Sequence, residues 1–177
     1  MRDRREEFDA GRIATTKGLP PEDFTAGAPA PIEPSTGMHK DYWVLSPSER
    51  AKGFVRPVRN QYKHVGIPGP TYPLRDLDDD EKERYAQYGY LKFEEYPESE
   101  HPTTGRFWTQ AKLDRVRGGC RTVTWMGSAL AETYAREPEF YGSTFCVGCK
   151  VHLPVGKDGE FVWLDFRGDE TAERVGT

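Results

Sequence analysis

The chain has no uninterrupted apolar run approaching the roughly 18 residues of a membrane-spanning helix. Its charged start, Met1-Arg2-Asp3-Arg4-Arg5-Glu6-Glu7, has no apolar stretch behind it of the kind a secretory signal carries. Neither a membrane location nor signal-peptide secretion is expected. Cysteine is scarce and odd in number: three residues cannot pair fully within one chain, so the thiols are expected either to bind metal or to stay free in a reducing compartment. No excess of positive charge exists either, since 25 basic against 29 acidic residues give a net charge of -4, which argues against a generally basic nucleic-acid coat. Large aliphatic side chains are few, with 36% hydrophobic against 31% charged residues in a chain of 177. What is present instead is 18 Gly, 14 Pro and a set of 4 Trp, 9 Tyr and 9 Phe. Aromatics each bury a large area, and a small core reinforced by a metal is the expected solution.

The organisation follows from the punctuation. Residues 1–40 carry Leu19-Pro20-Pro21 and Ala28-Pro29-Ala30-Pro31-Ile32-Glu33-Pro34, which can sustain neither a helix nor a central strand, so an extended or disordered N-terminal arm is expected. The folded part is expected over 41–177. Ser46-Pro47-Ser48-Glu49 has the capping-box form and predicts a short helix over 47–52. Phe54–Val58 reads as an edge strand because of Pro57, and Gln61–Val65 as a second strand. Residues 67–118 read as an insert: a Pro- and Gly-rich connector, a helix from Asp78 to Gln87, a strand from Tyr90 to Tyr96, a loop from Pro97 to Gly105 containing His101, and a short helix capped by Thr109. The acidic run at its first helix lacks the glycine and alternating oxygens of a calcium loop and suits a helix N-terminus. A helical pattern starts at Thr124, and Lys150–Val155 with Glu160–Leu164 predicts a hairpin turning at Gly156-Lys157-Asp158-Gly159.

The chemistry is concentrated in Cys120, Cys146 and Cys149. Cys146-Val147-Gly148-Cys149 lets two thiolates reach one tetrahedral zinc ion, and Cys120 supplies a third. The fourth ligand is His64 or His152. His152 is near in sequence but lies on the strand leaving the knuckle. If the insert is looped out, Gly66 meets Gly118-Gly119 and the shortened chain reads His-Val-Gly…Cys, a second knuckle facing the first, which favours His64. Three thiolates and one imidazole make a closed, structural site with no open position for a substrate. The sequence contains no His-Glu-x-x-His, no Gly-x-Ser-x-Gly elbow, no phosphate loop and no deaminase glutamate, so no catalytic residue and no small-molecule substrate are assigned. A redox pair is disfavoured because a strand, not a helix, follows the second cysteine.

The stretch Thr124–Val155, in particular Ala129-Leu130-Ala131-Glu132-Thr133-Tyr134-Ala135-Arg136 with Phe140-Tyr141-Gly142-Ser143-Thr144-Phe145-Cys146 and His152-Leu153-Pro154-Val155, resembles small uncharacterised bacteriophage proteins with a cysteine knuckle. Ser46–Gly66 is similar to the region before their first cysteine. The resemblance implies a phage or prophage origin and a zinc-bound structural module, and brings no activity with it.

The combined expectation is an α+β fold with a small zinc-ribbon-like β core, short helices, the inserted α/β segment and the arm. Functionally it is a non-enzymatic, zinc-stabilised interaction protein, a virion-associated or assembly component touching protein partners through the arm and the aromatic insert, in the host cytoplasm or the virion. Two alternatives stand beside it. One is a nucleic-acid-binding zinc protein using Arg50, Arg56, Arg59, Lys63 and Lys150; the other is an inhibitor of a host defence enzyme.

Overall fold

The computed structural model describes residues 3–100 and 105–177; His101 and the first two residues of the expected arm lie outside them. The chain divides into two compact units, one of Met1–His64 with Cys120–Thr177, the other of Val65–Gly119. Short helices and antiparallel sheets make it an α+β protein.

The first unit opens with α1 (Arg4–Asp9), whose cap Asp3 accepts from the amides of Arg5 and Glu6 at 2.8 and 3.3 Å. β1 (Ile13–Thr15) pairs antiparallel with β2 (Trp43–Leu45), Ile13 opposite Leu45. Ile13, Trp43 and Leu45 form a buried cluster with Phe8, Phe24 and Phe140 against it. This corrects the expectation of an extended arm over residues 1–40. Proline forbids a helix or a central strand there, but it does not forbid burial: Ala28, Pro29 and Ala30 are buried. Their carbonyls are used locally, with Glu22 N donating to Pro29 O at 2.8 Å and His39 Nδ1 2.9 Å from Ala30 O.

α2 (Pro47–Arg50) starts where Ser46 accepts from the Glu49 amide. Phe54–Val58, expected as an edge strand, is irregular. The amides of Val55 and Arg56 both donate to Ala135 O at 2.9 Å, Pro57 has no amide to give, and Phe54, Val55 and Val58 are left exposed. β3 (Gln61–His64) follows.

The second unit contains a three-stranded antiparallel sheet in which β4 (Leu74–Asp76) and β6 (Phe107–Thr109) flank β5 (Tyr90–Glu94). Between β4 and β5 lies α3 (Asp79–Tyr85), started by a full capping box of Asp78 and Glu81; α4 (Gln110–Arg115) is capped by Thr109. The ends of the unit close on themselves: Ile67 bridges Val116, and a side chain at Gly66 (φ +84°) would collide with the Arg115 carbonyl and the Gly118 amide.

Back in the first unit, β7 (Val123–Trp125) precedes α5 (Ser128–Arg136), so the stretch expected to be helical from Thr124 begins as a strand. β8 (Ser143–Cys146) pairs with β9 (Val151–Pro154), while β10 (Phe161–Leu164) and β11 (Glu170–Arg174) join β3 and β7 in a sheet ordered β11-β10-β3-β7. The expected hairpin between Lys150–Val155 and Glu160–Leu164 does not form. All four residues of β10 are buried, and such a strand needs a neighbour on each edge, which β3 and β11 provide and a two-stranded ribbon cannot. Tyr62, Tyr134, Phe161 and Trp163 build the core over this sheet, with T-shaped contacts of 5.4 Å for Tyr62–Phe161 and 5.5 Å for Tyr134–Trp163. The two clusters are tied by Thr133 of α5, whose hydroxyl accepts from Leu45 N at 3.0 Å and donates to Ala129 O.

Candidate metal centre

Four side chains converge at one end of the sheet. His64 closes β3, Cys120 lies just before β7, Cys146 closes β8, and Cys149 sits in the turn to β9. His64 Nδ1 is 3.3 Å from Cys120 Sγ, 3.7 Å from Cys146 Sγ and 3.4 Å from Cys149 Sγ, and the Cys120 and Cys146 sulfurs are 3.5 Å apart. All four donor atoms lie within 4.8 Å of one another, a group that could hold a metal ion. The sulfurs are far beyond the roughly 2.05 Å of a disulfide, and the cysteines are free.

The donors arrive on two equivalent turns. In Cys146–Lys150 the Lys150 amide donates to Cys146 O at 2.7 Å, the Cys149 amide points at Cys146 Sγ at 3.5 Å, and Lys150 is left-handed at φ 57°. At the other turn the Arg121 amide donates to His64 O at 3.0 Å, the Cys120 amide points at His64 Nδ1 at 3.3 Å, and Arg121 is left-handed at φ 64°. The second turn repeats the first, with His64 in the place of Cys146 and Val65–Gly119 inserted before Cys120. Gly148 allows the two to approach: a Cβ there would stand 2.4 Å from Thr122 Oγ1 and 2.9 Å from Cys120 Sγ.

The His64 ring is held on its other sides. Nε2 is 2.8 Å from a carboxylate oxygen of buried Glu160, and the ring packs on Phe161 at 5.1 Å. Cys120, His64 and Glu160 thus form a string of the kind that activates a thiol nucleophile. The imidazole nitrogen, however, is shared by three sulfurs at nearly equal distance, which suits a common cation better than a single nucleophile. Burial acts to raise the Cys120 pKa, but hydrogen bonds with Thr122, His64 and Cys146 outweigh it and bring the thiol down to about 6. Cys149 is pushed up to about 12, by burial first and then by the neighbouring sulfurs of Cys120 and Cys146. Three thiolates cannot coexist here without a cation among them.

His152, the other candidate fourth ligand, is elsewhere. Its Nε2 is 3.1 Å from the Tyr42 hydroxyl, its ring lies 4.7 Å from His39, and burial followed by the charge of His39 lowers its pKa. The basic residues are not gathered into a patch. Arg50 pairs with Glu132 at 2.5 Å, Arg59 with Glu173, and Lys63 with Glu170 at 2.9 Å; Arg56 donates to Thr177 O, and Lys150 is exposed in the cysteine turn.

Sequence reasoning missed Glu160, Thr122 and Thr124, the last accepting from Val147 N at 3.1 Å. The available signal was strand register: once β10 is paired with β3, Phe161 stands opposite His64 and Glu160 falls beside it. No family model matches the chain, and no curated protein or solved structure is significantly similar to it.

Proposed function

We propose that this chain is a non-enzymatic protein whose fold is held by one zinc ion on His64, Cys120, Cys146 and Cys149, and that it serves as a structural or assembly component of the bacteriophage kind its knuckle resembles. The observation that carries the reading is the closed set of four donors. A zinc ion about 2.3 Å from sulfur and about 2.0 Å from nitrogen implies tetrahedral edges of about 3.8 Å between sulfurs and about 3.5 Å between sulfur and nitrogen. The 3.5 Å sulfur–sulfur distance and the 3.3, 3.4 and 3.7 Å sulfur–nitrogen distances lie close to those edges. With four protein ligands the ion has no position left for water or substrate, and what it supplies is folding energy.

The interaction role draws support from large apolar side chains left in solvent: Phe166 is 89% exposed, and Trp125 and Tyr88 are 65% exposed each. Because residues 3–40 are packed into the first unit, the interaction role is placed on exposed side chains such as Phe166 and Trp125 of the first unit and, separately, Tyr88 of the second, and not on a free arm. The nucleic-acid alternative draws no comparable support, since Arg50, Arg59 and Lys63 are each neutralised by a carboxylate.

Elemental analysis of the purified protein tests the metal, with about one zinc per chain expected. Sedimentation of the protein with assembled particles from the cells that make it tests the role. A protein that stays monomeric in the presence of every particle fraction would end the assembly reading while leaving the metal reading intact.

A further inference from the structure

We propose that Glu160 is the positioning residue of the metal centre, fixing His64 as an Nδ1 ligand and strengthening its hold on the cation; this rests on the metal reading above. The imidazole can present either nitrogen to the sulfurs, and the neighbours decide which. The Glu160 carboxylate, 2.8 Å from Nε2, accepts the ring proton there, which leaves the Nδ1 lone pair facing Cys120, Cys146 and Cys149. Both side chains are only 7% exposed, so the contact is made away from water. Glu160 is itself held: its amide donates to Pro154 O at 3.0 Å, and the next residue, Phe161, pairs with His64 in the sheet and packs on its ring.

A carboxylate accepting from a metal-bound imidazole makes the imidazole a stronger donor, and losing such a partner commonly costs about 10–100-fold in metal affinity.

The test is zinc affinity, measured by competition with a chromophoric chelator, together with the ligand-field spectrum of the cobalt-loaded protein. Glu160→Ala is expected to bind zinc about 10–100-fold more weakly, with shifted cobalt bands. Glu160→Gln should fall between it and the wild type, because the amide oxygen still accepts the ring proton but carries no charge; it decides the matter if the alanine variant does not fold. Ile13→Val, in the separate buried cluster of Trp43 and Leu45, should lower the melting temperature without moving the bands. The proposal is overturned if both Glu160 variants match the wild type in affinity and spectrum, or if Ile13→Val shifts the bands as far. A wild-type protein that takes up no metal removes the metal reading itself, and this inference with it.

Discussion

His64 and Cys120 are 56 residues apart, yet they stand at the two ends of one turn: the Arg121 amide beyond Cys120 bonds the His64 carbonyl, and Nδ1 lies 3.3 Å from Sγ. The turn reproduces that of Cys146 and Cys149, which are three residues apart. This pairing makes the role of each histidine separable by experiment.

His64→Ala should lose metal and most of the fold at ambient temperature, as should Cys146→Ser, because binding energy in such a site is folding energy. His152→Ala should keep the metal content of the wild type and cost only about 1–2 kcal/mol, the value of a hydrogen bond and some packing against Tyr42 and His39. Metal content and thermal melting of the three variants check this; equal losses for the two histidine variants would contradict the assignment of ligands.

Gly148→Ala tests the approach of the two turns. The added methyl would meet Thr122 and Cys120 Sγ at distances that force movement. Overpacking of this kind costs about 1–3 kcal/mol, and because one of the displaced atoms is a ligand, metal affinity should fall together with the melting temperature. Thr122→Ala in the same chain should restore part of both.

Much of the site was legible in the sequence because its signals are local. Cys-Val-Gly-Cys and His-Val-Gly name their own turns, and Ser46, Asp78 and Thr109 announce helix starts through the residue three places on. What was not legible depends on pairing between distant segments. Ile13–Thr15 is too short to declare itself until Trp43–Leu45 lies beside it, and the proline-rich stretch around Pro29 is buried through its place in the fold, not through any periodicity. The same holds for Phe161–Leu164, whose partner is β3 and not the nearer β9.

Glu94 offers a test of the second unit by itself. Its fully buried carboxylate accepts from the amides of Thr71 and Tyr72 at 2.6 and 2.9 Å and from Trp108 Nε1 at 2.9 Å. Glu94→Ala leaves three donors unpaired at about 1–3 kcal/mol each. Trp108 should become exposed, read by fluorescence, while the metal content stays that of the wild type.

Acid should weaken α3 through Glu81. Hydrogen bonds from Arg75 and then from the Asp78 amide lower its carboxyl from 4.5 to about 2. A carboxyl depressed on folding stabilises fully above its unfolded value, and that contribution is lost as pH falls from about 4.5 through about 2. Glu81→Gln should therefore be less stable than the wild type at pH 6 and indistinguishable from it near pH 2, as followed by the amide resonances of α3.

The insertion of a whole folded unit between His64 and Cys120 bears on how their turn is closed. Closing a loop of 56 residues in an unstructured chain costs about 2.5 kcal/mol more than closing one of three. Folding of Val65–Gly119 would remove that difference, because its Ile67–Val116 bridge holds the two ends of the segment together. Val65–Gly119 also precedes Cys146 and Cys149 in the chain, so the His64–Cys120 half of the candidate centre can be drawn together before the second knuckle has been made.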